Sequence, residues 1–90
     1  MEVPVQALAL LLSSLRSDLY RRMIALLVEA RKQEGITQVE LGRRLGWRQT
    51  FVSKFELGER RLDVAEFVSV ARAIGADPFE IIRVAESESR

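Results

Sequence analysis

The residues able to do chemistry in this chain are its charged and polar side chains, because His and Cys are both absent from its 90 residues. That removes disulfides, thiolate nucleophiles, zinc sites and the commonest general base together. Carboxylates, serines, lysines and Tyr20 remain, and neither a paired arrangement of them nor a glycine-rich phosphate loop suggests a catalytic site. The expectation is a protein that is not an enzyme and uses no cofactor or metal. The cations are distributed more informatively. Between Arg43 and Arg61 lie Arg43, Arg44, Arg48, Lys54, Arg60 and Arg61, against only Glu56 and Glu59. After Leu62 the sign reverses, with Asp63, Glu66, Asp77, Glu80, Glu86 and Glu88 outnumbering Arg72, Arg83 and Arg90. A net charge of +1 conceals this asymmetry. A local basic stripe suits phosphate groups, since neutralising them releases counterions, and it equally suits an ordinary solvated face. Charge by itself leaves both readings open.

The elements that must position these cations are helices. No stretch alternates like a strand, and both prolines, Pro4 and Pro78, sit where helices begin. Met23, Leu26, Leu27 and Ala30 follow the spacing of a buried helical face, and Gly35 offers a stop, which predicts a first core helix over residues 18–34. Thr37 stands three residues before Glu40, a capping box that opens a second helix over 38–45. Gly46 interrupts, and a short third helix over 48–57 carries Val52 and Phe55 on one side before Gly58 ends it. Asp63 with Glu66 opens a fourth helix whose core residues are expected to be Val64, Phe67, Val68, Ala71 and Ile74, closed by Gly75. Asp77, Pro78 and Glu80 open a fifth, with Phe79 and Ile82 expected to point inward.

The length suits one domain with one core. Residues 1–17 read as an apolar leader helix, 18–86 as the domain, and 87–90 as a frayed polar tail. In the leader, Val5, Leu8, Leu12, Leu15 and Leu19 are spaced 3, 4, 3, 4, an a/d seam. Either the leader folds back on its own domain or it buries against a second subunit; Leu10 and Leu11 add apolar surface that favours the second. The start lacks a basic signal-peptide region and the apolar run is too short to span a bilayer, so a cytoplasmic protein without membrane association is expected.

Two helices joined by a tight turn need a small residue where they cross, a residue tolerant of positive φ in the turn, and apolar anchors on both. Leu41, Gly42, Gly46, Val52 and Phe55 meet these requirements in register. On Thr37-Gln38-Val39-Glu40-Leu41-Gly42, Leu45-Gly46, Val52-Ser53-Lys54-Phe55-Glu56 and Gly58-Glu59-Arg60, the chain resembles the Cro and phage-repressor-like helix-turn-helix proteins, the XRE family, over about residues 26–82. The resemblance implies an all-α, five-helix lambda-repressor-like DNA-binding domain, here with an additional N-terminal apolar helix. It implies that the third helix enters the major groove of duplex DNA and that the protein is a transcriptional regulator, in the first place a repressor, working as a homodimer.

Carried over residue by residue, the resemblance gives Gln38 a DNA phosphate and a buttressing role under the recognition helix. It places Gln49, Thr50, Ser53 and Lys54 at the base edges, where Gln pairs with adenine, Lys with guanine, and the Thr methyl packs on thymine. It assigns Arg61 and one of Arg43 or Arg44 to phosphates, contacts that set register and salt dependence rather than sequence. It also couples Arg31 to Glu56 as a partly buried ion pair, the alternative being two independent surface charges. The chain departs from the pattern at Trp47, where a small residue is usual, and at Arg48, where a Ser or Thr would cap the third helix; Arg48 is instead assigned to phosphate and Trp47 to packing. Leu57 and Glu59 lower the expected phosphate attraction. The rival reading is a protein-interaction module, or a DNA-binding antitoxin, built on the same fold.

Overall fold

The computed structural model describes residues 4–88, and within the first helix the side chains of residues 9–17 fall outside that description. Five α-helices make up the described chain: α1 (Val5–Gln33), α2 (Gln38–Leu45), α3 (Gln49–Glu56), α4 (Val64–Ile74) and α5 (Pro78–Glu88). The expected all-α class is what the structure shows, and α2 and α4 start and stop at their cap signals. Thr37 Oγ1 accepts from the Glu40 amide at 3.0 Å. Asp63 and Glu66 form a reciprocal capping box, Asp63 Oδ1 accepting from the Glu66 amide at 2.7 Å and Glu66 Oε1 from the Asp63 amide at 2.9 Å. Gly46 ends α2 at φ +71°, a left-handed geometry that a residue with a Cβ adopts only at a cost.

Four expectations need correction. The leader and the first core helix are one continuous helix of 29 residues. No Gly or Pro interrupts residues 5–34, and Asp18, the expected start of the core helix, lies within α1 and accepts from Arg22 Nε one turn on at 3.3 Å. On α4, Val64 is 83% exposed and Val68 is exposed, while Val70 is fully buried. On α5, Phe79 is 73% exposed, whereas Pro78, Ile81 and Ala85 are buried and the half-buried Ile82 packs against the core as expected. The cause is the rotation set by Pro78, whose burial turns its neighbour Phe79 outward by one helical step of about 100°. Asp77 accepts from the Phe79 amide and Glu80 turns to Arg83, so no reciprocal box forms there. Finally, Ser87 and Glu88 are helical, and Glu88 reaches Arg22 at 3.7 Å; residues 89–90 of the expected tail lie outside the described residues.

The core joins all five helices through Leu27, Leu41, Val52, Phe55, Phe67, Val70, Ile74 and Ile81, together with Ile36 and Leu62 from the loops. Its function here is to hold α2 against α3. Gly42 makes that approach close: a Cβ on it would lie 2.7 Å from the Trp47 carbonyl oxygen, nearer than any real Cβ sits. The same turn is closed by the Trp47 amide donating to Gly42 O at 2.8 Å.

Candidate nucleic-acid interface

The third helix has two unlike sides. Inward, Val52 and Phe55 are essentially inaccessible. Next to them Glu56 accepts from Arg31 twice, Nε at 2.6 Å and Nη2 at 2.9 Å, while Arg31 Nη1 donates to the Ile36 carbonyl at 2.7 Å. Both side chains are more than nine-tenths covered. A bidentate guanidinium–carboxylate pair of this kind fixes geometry as well as charge, and here it ties the end of α3 to the end of α1.

The network continues towards the surface. Gln38 Nε2 donates to Glu56 Oε1 at 2.9 Å, and Gln49 Nε2 donates to Gln38 Oε1 at 2.8 Å. One carboxylate at the C-terminal end of α3 is thus linked through α2 back to the first residue of α3. Gln38 buttresses α3 directly, and Gln49 is held at its tip with its own carbonyl oxygen accepting no hydrogen bond among the described residues. The sequence reading named both residues separately; their amide pairing follows only from the crossing of α2 over α3.

Outward, the candidate base-reading residues lie together. Gln49, Thr50 and Lys54 are exposed and Ser53 is half-buried on the same helix. Thr50, Ser53 and Lys54 make no side-chain hydrogen bond or ion pair among the described residues. Arg48, at the N-cap position with extended backbone and no capping bond, is likewise unpaired there. The assigned phosphate residues divide in a way that sequence does not anticipate. Arg61 has no ion-pair partner among the described residues, and its guanidinium lies 4.4 Å from the centroid of the Tyr20 ring. The Tyr20 hydroxyl accepts from the Leu62 amide at 3.0 Å, so one α1 side chain braces the loop that presents Arg61. Arg43 instead pairs with Glu40, the hydrogen bond holding the Glu40 carboxyl below the usual carboxylate range and pushing Arg43 up. Arg44 also lies 3.5 Å from the Glu40 carboxylate and donates to the Ala73 carbonyl at 2.9 Å, at the last turn of α4.

Arg60 also serves the scaffold. Its guanidinium makes two 3.1 Å hydrogen bonds to the Glu66 carboxylate and lies 4.1 Å above the Phe51 ring. Arg60 and then the Asp63 amide hold Glu66 below the usual carboxylate range. Trp47 meets Phe51 edge-on, ring centroids 4.4 Å apart. The sequence reading took Trp47 for packing and did not single out Phe51, although two aromatics four residues apart across the start of a helix signal contact.

Among the described residues no helix is long and apolar enough to cross a membrane, and no cluster of three metal-ligating side chains occurs.

Comparison with known proteins agrees with this geometry. Residues 27–81 match the helix-turn-helix family HTH_3, a span that takes in all of α2, the turn and α3. A solved structure of an XRE-family like protein from Pseudomonas syringae pv. tomato str. DC3000 is similar to this chain at 45% sequence identity and a TM-score of 0.81, covering 87% of this chain and 95% of the other. No curated protein matches.

Proposed function

The chain belongs to the XRE family of helix-turn-helix proteins, whose domain is of the DNA-binding, transcription-regulator type, and from that premise we propose that it binds duplex DNA sequence-specifically through α3 in the major groove and acts as a repressor. The observation that carries the reading is the division of labour on α3. Its inner side is committed to the core and to the Arg31–Glu56–Gln38 network, whereas on the outer side Gln49 is held by Gln38 and Thr50, Ser53 and Lys54 make no side-chain hydrogen bond or ion pair among the described residues. Gln49, Thr50, Ser53 and Lys54 meet base edges. Gln38, Arg43, Arg48 and Arg61 meet phosphates, Arg43 exchanging its exposed pairing with Glu40 for the backbone. Such an exchange is inexpensive, because exposed ion pairs contribute little.

One recognition helix reads few bases, so the protein acts as a homodimer on two half-sites about one helical turn apart. The leader supplies the contact. α5 ends with Glu88 beside Arg22, and α1 runs on from there towards Val5, where Val5 and Leu8 are exposed. Leu12 and Leu15, whose side chains lie outside the described residues, continue the seam in sequence, and Leu10 and Leu11, outside them too, add apolar residues beside it. Removing residues up to 14 and measuring solution mass tests this; a variant that stays fully dimeric rules the leader out.

Selection of binding sites from random duplex tests the function as a whole. The expected result is a two-fold related motif whose affinity falls steeply with salt. A protein-interaction module on the same fold would instead show no salt-sensitive DNA binding.

A further inference from the structure

Beside the outward face of α3 lies a surface notch of about 420 Å³, lined by Trp47, Arg48, Thr50, Phe51, Lys54 and Arg60. Its floor is aromatic and its rim is cationic. Trp47 stands edge-on to Phe51, and Arg60, anchored by Glu66, covers one face of the Phe51 ring. Both rings are only half-buried, so aromatic carbon is left open between two of the residues proposed to read bases, Thr50 and Lys54. An aromatic surface at that place is unexpected if α3 meets only hydrogen-bonding groups and phosphates, since wetting it costs free energy without return.

Duplex DNA presents one kind of apolar group in the major groove, the methyl on pyrimidine C5. Stacking of a base on the rings is ruled out by pairing, because an intact duplex exposes no base faces. We infer that the Trp47–Phe51 notch receives a pyrimidine C5-methyl group, making Trp47 and Phe51 specificity-determining residues alongside the polar side chains of α3. The inference rests on the proposed DNA-binding reading. Arg48 and Lys54 on the rim match the negative surroundings such a methyl group occurs in, and the fixed position of Arg60 holds the notch open at a set distance from the helix.

The methyl group has two sources, thymine and 5-methylcytosine, and one experiment distinguishes them. In the duplex selected from the random library, each thymine is replaced in turn by deoxyuridine and each cytosine by 5-methylcytosine, and affinity is measured by fluorescence anisotropy for the whole protein. At one position in each half-site, deoxyuridine should weaken binding about fourfold, the worth of roughly one buried methyl group. If that position is a cytosine, 5-methylcytosine should strengthen binding by a similar factor. Trp47→Ala and Phe51→Ser, each checked for a cooperative thermal transition, should bring the ratio close to one at that position while leaving other positions unchanged. Selective binding with no methyl-sensitive position overturns the notch and leaves the DNA reading standing. Methyl sensitivity that persists unchanged in both folded variants at every sensitive position also overturns it. An absence of any salt-sensitive duplex binding removes both proposals together.

Discussion

The two sides of α3 differ more from each other than α3 differs from any other helix. On the inner side each polar atom has a partner: the Glu56 carboxylate takes three hydrogen bonds, and no buried side-chain nitrogen or oxygen among the described residues is left without one. On the outer side Thr50, Ser53 and Lys54 have none among the described residues. A helix of eight residues cannot stand alone in water, so the inner half has to be over-determined for the outer half to be held still. Binding groups that are already fixed lose little freedom when they meet a ligand, and that is what the saturated side supplies.

The comparison can be broken from the inside first. Arg31→Ala leaves the buried Glu56 carboxylate with Gln38 as its remaining partner and should cost about 3 to 5 kcal/mol of unfolding free energy, read from urea or guanidinium titration. Replacing Arg31 and Glu56 together by methionine should recover part of that loss, since the penalty comes from the stranded charge. A single substitution as mild as a surface change would mean that the pair does not hold α1 to α3. Gly42→Ala is next: the added methyl meets the Trp47 carbonyl, and a loss of about 1 to 3 kcal/mol is expected from forced separation of α2 and α3.

From the outside the expected effects fall on binding and leave folding nearly untouched. Gln49→Ala should change stability by no more than about 0.5 kcal/mol yet remove about 1 to 3 kcal/mol of discrimination at one base position. An unchanged site preference in a randomised-duplex selection would take Gln49 off the list of base readers. The smallest effect concerns acid. Glu66 is held below its ordinary value of 4.5 by Arg60 and then by the Asp63 amide, so its contribution to stability is complete above that pH and is lost as pH falls beneath it. Glu66→Gln should therefore lower the melting temperature slightly near neutrality and flatten part of its decline below about pH 4.5, the two proteins converging in acid. An acid limb identical in both proteins would show that the contact does not survive in solution.

Much of this was legible in the residues. Caps work through neighbours three positions apart, so Thr37, Asp63 and the turn at Gly46 located α2, α4 and the α2–α3 turn without reference to the rest of the chain. The boundary expected at residue 18 does not exist, because the surrounding run of helix formers holds no Gly or Pro and the helix passes straight through. Rotation was less legible than position. Val64 and Phe79 look like core residues by type, but each sits in the first turn of its helix, where the preceding loop and the burial of Pro78 decide which way the helix faces.

For the candidate site the split is the same. Residue types and spacing determined that α2, the turn and α3 form a helix-turn-helix, because caps, turn glycine and apolar anchors act over a few residues, and the family resemblance added which side chains of α3 face outward. Tertiary structure alone decided which cations remain available, placing Arg48, Lys54 and Arg61 without ion-pair partners among the described residues while Arg60 closes on Glu66 and Arg44 on the end of α4. It alone joined Gln38 to Gln49, set Tyr20 beneath Arg61, and opened an aromatic notch beside the reading face. The reason is physical: a local signal is read by atoms a turn or less apart, whereas an unpaired charge or an open ring is defined by what the rest of the chain does not cover.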